Sequence, residues 1–143
     1  MIRSTRRSGF TLIEMLVVIA VVAVLVAMVV PLVSNVTVKA KAATDAANLR
    51  GVLGQANVLL TDQAVEPSAA IARLKPIACK TIPGSEAYIG YQEPGFIAPF
   101  FVSDGQYYPL EYFADIAEHG ATTIETAQPS GYTMYRVGGN GGN

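Results

Sequence analysis

The sequence predicts an α+β fold: a long N-terminal α-helix, membrane-spanning in its first half and amphipathic in its second, packed against a small antiparallel β-sheet head. Three observations carry this. Met15 to Val30 is an unbroken run of sixteen apolar residues, longer than a soluble helix needs. Seven of the eight prolines lie from Pro67 onward, so the chain before that point has few interruptions to helix. Eleven of the twelve aromatic residues lie between Tyr88 and Tyr135, which places the globular core at the C-terminal end.

The elements follow in order. Arg3, Arg6 and Arg7 make the start cationic, and no acidic residue precedes Glu14. Phe10 to Val33 contains one charge, Glu14, and as a helix spans about 36 Å, enough to cross a hydrocarbon core of roughly 30 Å. The positive flank orients the N-terminal side toward the cytoplasm and leaves everything after Val33 on the far side. Pro31 predicts a bend or local melting near Ala27 to Pro31, because it removes one donor and clashes with the preceding turn. Leu49, Val52, Leu53, Ala56, Leu59 and Leu60 recur at helical spacing, so an amphipathic helix is expected to continue to about Asp62 despite Gly51 and Gly54.

Beyond it, Ser68 to Lys75 reads as a short helix and Ala87 to Gln92 as a strand. Phe96 to Ser103 and Gln106 to Pro109 flank Asp104-Gly105, a dipeptide that favours a tight hairpin turn. Leu110, Phe113, Ala114 and Ala117 form an apolar helical stripe, with Gly120 placed to end it. Thr122 to Thr126 and Tyr132 to Val137 flank Gln128-Pro129-Ser130-Gly131 and read as a second hairpin. The glycine-rich stretch 138–143 is expected to be a flexible tail.

Composition narrows the function. At 51% hydrophobic and 15% charged, the chain is not of the disordered class. One cysteine forms no intramolecular disulfide, and one histidine and one cysteine exclude a zinc site built mainly from those residues. A net charge of -1 gives no global attraction to nucleic acid, and no nucleic-acid contact is expected. A secretory signal peptide would have a shorter apolar run followed closely by a small-residue cleavage site. A simple anchor accounts for the length but leaves Glu14 unexplained, since a carboxylate at the bilayer centre costs up to about 2.5–3.5 kcal/mol. Glu14 therefore needs a partner or a shallow position.

Gly9-Phe10-Thr11-Leu12-Ile13-Glu14-Met15-Leu16-Val17-Val18-Ile19-Ala20 resembles the class III signal of type IV prepilins and type II secretion pseudopilins. The resemblance covers residues 1 to about 33. It implies cleavage by a prepilin peptidase between Gly9 and Phe10, N-methylation of Phe10, and a filament-assembly role for Glu14, with Pro31 matching a proline that loosens the helix. Together with the composition and periodicity of the later residues, it divides the chain into a leader (1–9), a transmembrane and filament-core helix (10–33), its amphipathic continuation (34–62), a β-rich head (63–137) and a tail (138–143).

The implied partners are copies of the chain and related pilins in a helical filament, the peptidase, a membrane assembly platform, and membrane lipid before assembly. The implied location is a single-pass membrane protein with a cytoplasmic N-terminus and an extracytoplasmic head, later part of a cell-surface or periplasmic filament. No disulfide-bounded loop is possible with one cysteine, and nothing acidic follows Glu125 to build a C-terminal calcium site. Glu14 itself argues against a tip subunit, which in the family lacks that glutamate.

Other candidates have plainer readings. Asp115 and His119 are four apart on a helix shared with Glu111 and Glu118 and could chelate a metal; the expected reading is a solvated face with His119 at the helix C-terminus. Cys79, among Ile77, Ala78 and Ile82, is expected to be buried. Phe100-Phe101 and Tyr107-Tyr108 are expected to serve the core. No phosphate loop or catalytic constellation is present, so neither an enzyme nor a cofactor is expected. The alternative to a filament subunit is a monomeric membrane-anchored extracytoplasmic binding module.

Overall fold

The structure, a computed structural model, describes residues 9–61 and 65–139. They fall into two compact units, one ending at Val36 and the other beginning at Thr37. Helix α1 runs Leu12–Leu60, and the prediction of an uninterrupted helix through Gly51 and Gly54 holds. Asp62, the expected limit, lies outside the described residues.

Within the first unit every described residue is exposed, its apolar side chains included. Of the bend or local melting expected near Ala27 to Pro31, the melting does not occur: the helix is continuous there. The proline costs the helix one main-chain donor, and the Ser34 hydroxyl donates to the Pro31 carbonyl at 2.9 Å, adding a local bond where the ladder is thinned.

In the second unit, α1 turns one face inward. Leu49, Val52 and Ala56 are buried as the periodicity requires, and the buried stripe extends further back to Ala42, Asp45 and Ala46. Helix α2, Pro67–Ala72, is shorter than the predicted 68–75. Pro76 disfavours helical geometry at the residue before it. The turn tightens as the Arg73 and Leu74 amides donate to the Ala70 and Ile71 carbonyls at 3.2 and 3.1 Å. Leu74 thereby enters the core.

Strands β1 (Glu86–Gln92), β2 (Phe96–Ser103), β3 (Gln106–Pro109) and β4 (Thr133–Arg136) form one antiparallel sheet in the order β3-β2-β1-β4. The β2–β3 turn has positive φ at both Asp104 (50°) and Gly105 (75°), the requirement that the dipeptide announced.

The second hairpin is not formed. The residues from 122 to 126 are not a strand, and β4 pairs with the free edge of β1, with Ile89 opposite Tyr135. The Thr122 hydroxyl takes the Ile124 amide at 3.0 Å, which turns this stretch locally. It then runs beside β3, where the Tyr107 amide donates to the Thr126 carbonyl at 3.0 Å.

Helix α3, Leu110–His119, ends at Gly120 in a left-handed conformation, φ 86°, whose amide bonds the Ile116 carbonyl. Its inward residues are Phe113 and Ile116, with the expected Ala114 and Ala117 only half-buried. The bulkier pair shifts the helix by part of a turn relative to the predicted stripe.

The core lies between the sheet's inner face and α1, α2 and α3. Leu49, Ile71, Ile89, Phe101 and Phe113 are fully buried, each contributing about 1.5–3 kcal/mol of apolar transfer. Phe101 and Phe113 meet edge to face at 5.5 Å between centroids. The Phe-Phe and Tyr-Tyr pairs divide by strand alternation. Phe101 and Tyr108, mutual partners in register, take the core face. Phe100 and Tyr107 take the opposite one, where Tyr107 and Tyr132 rings shield Phe100.

Candidate functional site

The residues singled out at the N-terminus lie together. Gly9 and Phe10 precede the helix in irregular, exposed backbone, so the junction between them is outside any hydrogen-bonded ladder. Thr11 is the N-cap in all but name: the Met15 amide donates to its carbonyl at 3.3 Å. The Glu14 amide donates to Thr11 Oγ1 at 3.4 Å. In return the Thr11 amide donates to Glu14 Oε2 at 2.7 Å. This reciprocal arrangement is a capping box. Thr11-Leu12-Ile13-Glu14 is its sequence signature, a Thr followed three residues later by Glu before an apolar run, and that signal was readable in the chain.

The carboxylate thus has a partner within its own chain, at the positive end of the helix dipole. Pro31 lies well along α1 from this cluster and shares no hydrogen bond with it; its only described side-chain neighbour of this kind is Ser34.

In the head, sequence reasoning missed Asp45. This carboxylate is fully buried, and it accepts the Lys80 amide at 2.8 and 3.0 Å and the Thr81 amide at 2.7 Å. Cys79 Sγ lies 3.3 Å from Asp45 Oδ2 and accepts the Ile82 amide at 3.3 Å. One carboxylate on α1 therefore fixes the loop between α2 and β1. The available signal was a charge sitting between Ala42, Ala46 and Leu49 on the buried stripe.

Cys79 is buried as expected. Desolvation pushes its thiol pKa up, with the Asp45 charge adding to that. Since the thiolate is the reactive form, we expect Cys79 in the folded chain to react with a disulfide reagent at pH 8 at least about a hundredfold more slowly than in denaturant. Stopped-flow absorbance checks this; equal rates would mean that the loop is open.

His119 Nδ1 lies 2.8 Å from Asp115 Oδ1, while Glu118 approaches His119 Nε2 only at 3.9 Å. Among the described residues no three His, Cys, Asp or Glu side chains gather to hold a metal. The pair instead finishes α3. The Thr122 hydroxyl first, and His119 second, hold the Asp115 carboxyl below its usual range.

A carboxyl with a depressed folded pKa adds stability above its unfolded value, near 3.9, and loses it as pH falls through the folded value. The thermal midpoint should therefore fall more steeply from pH 5 to pH 3 in the native chain than in Asp115→Asn, as calorimetry would show.

An exposed apolar helix, long enough to cross a membrane and carrying a capped carboxylate just after a non-helical Gly-Phe junction, fits a membrane-anchored pilin-like precursor. Residues 4–30 match the prokaryotic N-terminal methylation motif. The chain thus carries a class III signal, which supports the type IV pilin and pseudopilin family, a family of structural subunits. No curated protein and no solved structure matches the chain.

Proposed function

We propose that the chain is a structural subunit, pilin or pseudopilin, of a type IV filament. A prepilin peptidase cleaves it after Gly9 and Phe10 is N-methylated. Residues 10–33 hold it in the inner or cytoplasmic membrane, with the head extracytoplasmic. It then passes through a membrane assembly platform into a helical filament of like subunits and related pilins.

The observation that supports this most is Glu14, the sole charge from Gly9 to Val36, a stretch in which every residue is exposed and whose start carries the methylation motif. After cleavage, a new cationic amine on Phe10 stands four residues before Glu14. In a staggered bundle, that amine on one subunit neutralises Glu14 of the next. Such a pair at about 4 Å gains roughly 4 kcal/mol at an effective dielectric of 20, comparable to the cost of an unpaired carboxylate in the membrane. A head-to-tail contact of this kind does not close on itself and generates a filament. Pro31 would ease the bending that packing such helices requires.

Mass spectrometry of the assembled material tests the processing step: the N-terminal peptide should begin at methylated Phe10, and an intact Met1 start or a cut after Ala42 overturns the reading. Glu14→Ala tests assembly. The subunit should stay in the membrane at native or higher abundance while filaments are lost.

A further inference from the structure

We infer that the two edges of the head's sheet are docking surfaces for each other in neighbouring copies of this chain: the basic edge at β4 of one head receives the acidic edge at β3 of the next. This rests on the filament reading above and adds to it a contact between heads, separate from the one through Glu14.

The charges are sorted along the chain before they are sorted in space. Pro67 to Lys80 carries Arg73, Lys75 and Lys80 and no acidic residue, whereas Thr81 to Tyr135 carries seven carboxylates and no Lys or Arg. The strand order β3-β2-β1-β4 then sends the two groups to opposite edges. Arg136 is on β4 itself. Helix α2 packs against β4, and Arg73 follows directly from it. Pro76 to Cys79 face Arg136 and Gly138 across one recess of about 350 Å³, so Lys75 and Lys80, which bracket that run, belong to the same edge. All four cations are exposed. Arg136 pairs with Glu86, and Glu66 precedes α2, but Arg73, Lys75 and Lys80 make no ion pair among the described residues.

At the other edge, Asp104 is in the β2–β3 turn. Glu111, Asp115 and Glu118 are on α3, which follows β3 without a break and packs on β3 and β2. Glu125 precedes Thr126, whose carbonyl takes the Tyr107 amide of β3. Asp115 is partnered by His119, and the Lys39 amine sits on the Glu118 carbonyl. Asp104, Glu111 and Glu125 are exposed and make no ion pair among the described residues.

The two edges do not meet within one molecule, because β2 and β1 stand between them and hold β3 and β4 about 14 Å apart. A second copy supplies the complementary edge. The contact is heterologous, and repeated it does not close, which is the symmetry of a filament. An exposed ion pair shifts an equilibrium constant by about fivefold at most and is screened beyond about 8 Å at physiological ionic strength. Heads therefore do not associate through these edges alone at micromolar concentration. The edges act once subunits are concentrated side by side, where they select the orientation of approach and reject like-charged contacts.

The test uses the full chain in cells that assemble it. A zero-length carbodiimide joins a carboxylate to an amine only where the two touch. In membranes and in assembled material it should give a species of twice the subunit mass, whose linked peptides join Lys75 or Lys80 to Asp104, Glu111 or Glu125. Arg73→Glu with Lys75→Glu should lower filament yield at least about fivefold at equal processed subunit, and Glu111→Lys with Glu125→Lys should do the same. The four changes together should restore it. A head that merely failed to fold would not be rescued by a second pair of changes.

Doubled species linked through other residues, linkage only to a different polypeptide, or a four-change variant no better than either pair overturns the inference. Its failure is distinguishable from that of the filament reading. An intact Met1 start in assembled material removes the filament reading, and the linked peptides from membranes still decide whether the edges meet. Normal native filaments with no rescue remove the edge contact alone.

Discussion

Asp45→Ala should destabilise the head by about 2–4 kcal/mol. The side chain is fully buried, and its removal leaves the Lys80 and Thr81 amides and the Cys79 thiol without their shared acceptor. A buried donor left unpaired costs about 1–3 kcal/mol, and these donors are only partly shielded, so water recovers part of the loss. Against a total stability of about 5–15 kcal/mol the effect is large.

Denaturant unfolding of the detergent-solubilised chain, followed by tyrosine fluorescence, would show the midpoint fall. Hydrogen exchange should accelerate at Lys80 and Thr81 first. Asp45→Asn should fall between, because its carbonyl oxygen can still accept but its amide group faces donors. If Asp45→Ala unfolds at the native midpoint, the loop is held by Ile77, Ile82 and Cys79 packing and not by the carboxylate.

The same residue shows where the sequence was legible and where it was not. Periodicity located the face of α1 carrying Leu49, Val52 and Ala56 because apolar burial repeats with the helix. It stopped short of Ala42 and Ala46 because alanine contributes little contrast and Asp45 interrupts the pattern. A buried charge reads as a surface charge until its partners are known, and those partners are main-chain amides 35 and 36 residues away, which no local window contains.

Strands β2 and β3 were readable because Asp104-Gly105 dictates a local turn. β4 was misassigned to a hairpin because its true neighbour, β1, is distant in sequence, and the turn residues around Pro129 reverse the chain without pairing its two sides. At the other end, Gly9, Phe10 and Glu14 stood out by resemblance and by charge, while Thr11 went unnoticed although its spacing to Glu14 is itself a capping signature.

A chain beginning at Val36 should be soluble, folded and monomeric at micromolar concentration, and should form no filaments. It lacks the segment in which every described residue is exposed and almost all are apolar, and it keeps the unit that begins at Thr37. That unit contains the whole core, from Ala46, Leu49, Val52 and Ala56 on α1 to Ile89, Phe101, Phe113 and Val137. Its size is in the range in which single domains fold alone.

The new helix start loses the turns before it, so fraying should reach about Lys39, whose amine otherwise donates to the Glu118 carbonyl at 2.7 Å. From Ala42 onward the buried stripe holds the helix through packing, since isolated helical propensity is a minor term beside an amphipathic face in contact. Exchange-protected amides throughout Leu49 to Leu60, with a monomer mass by light scattering, are the expected result. Rapid exchange in that segment would mean that the helix is held by the membrane or the filament and not by the head. Filaments of native diameter from this chain would mean that the N-terminal helices are not what joins the subunits.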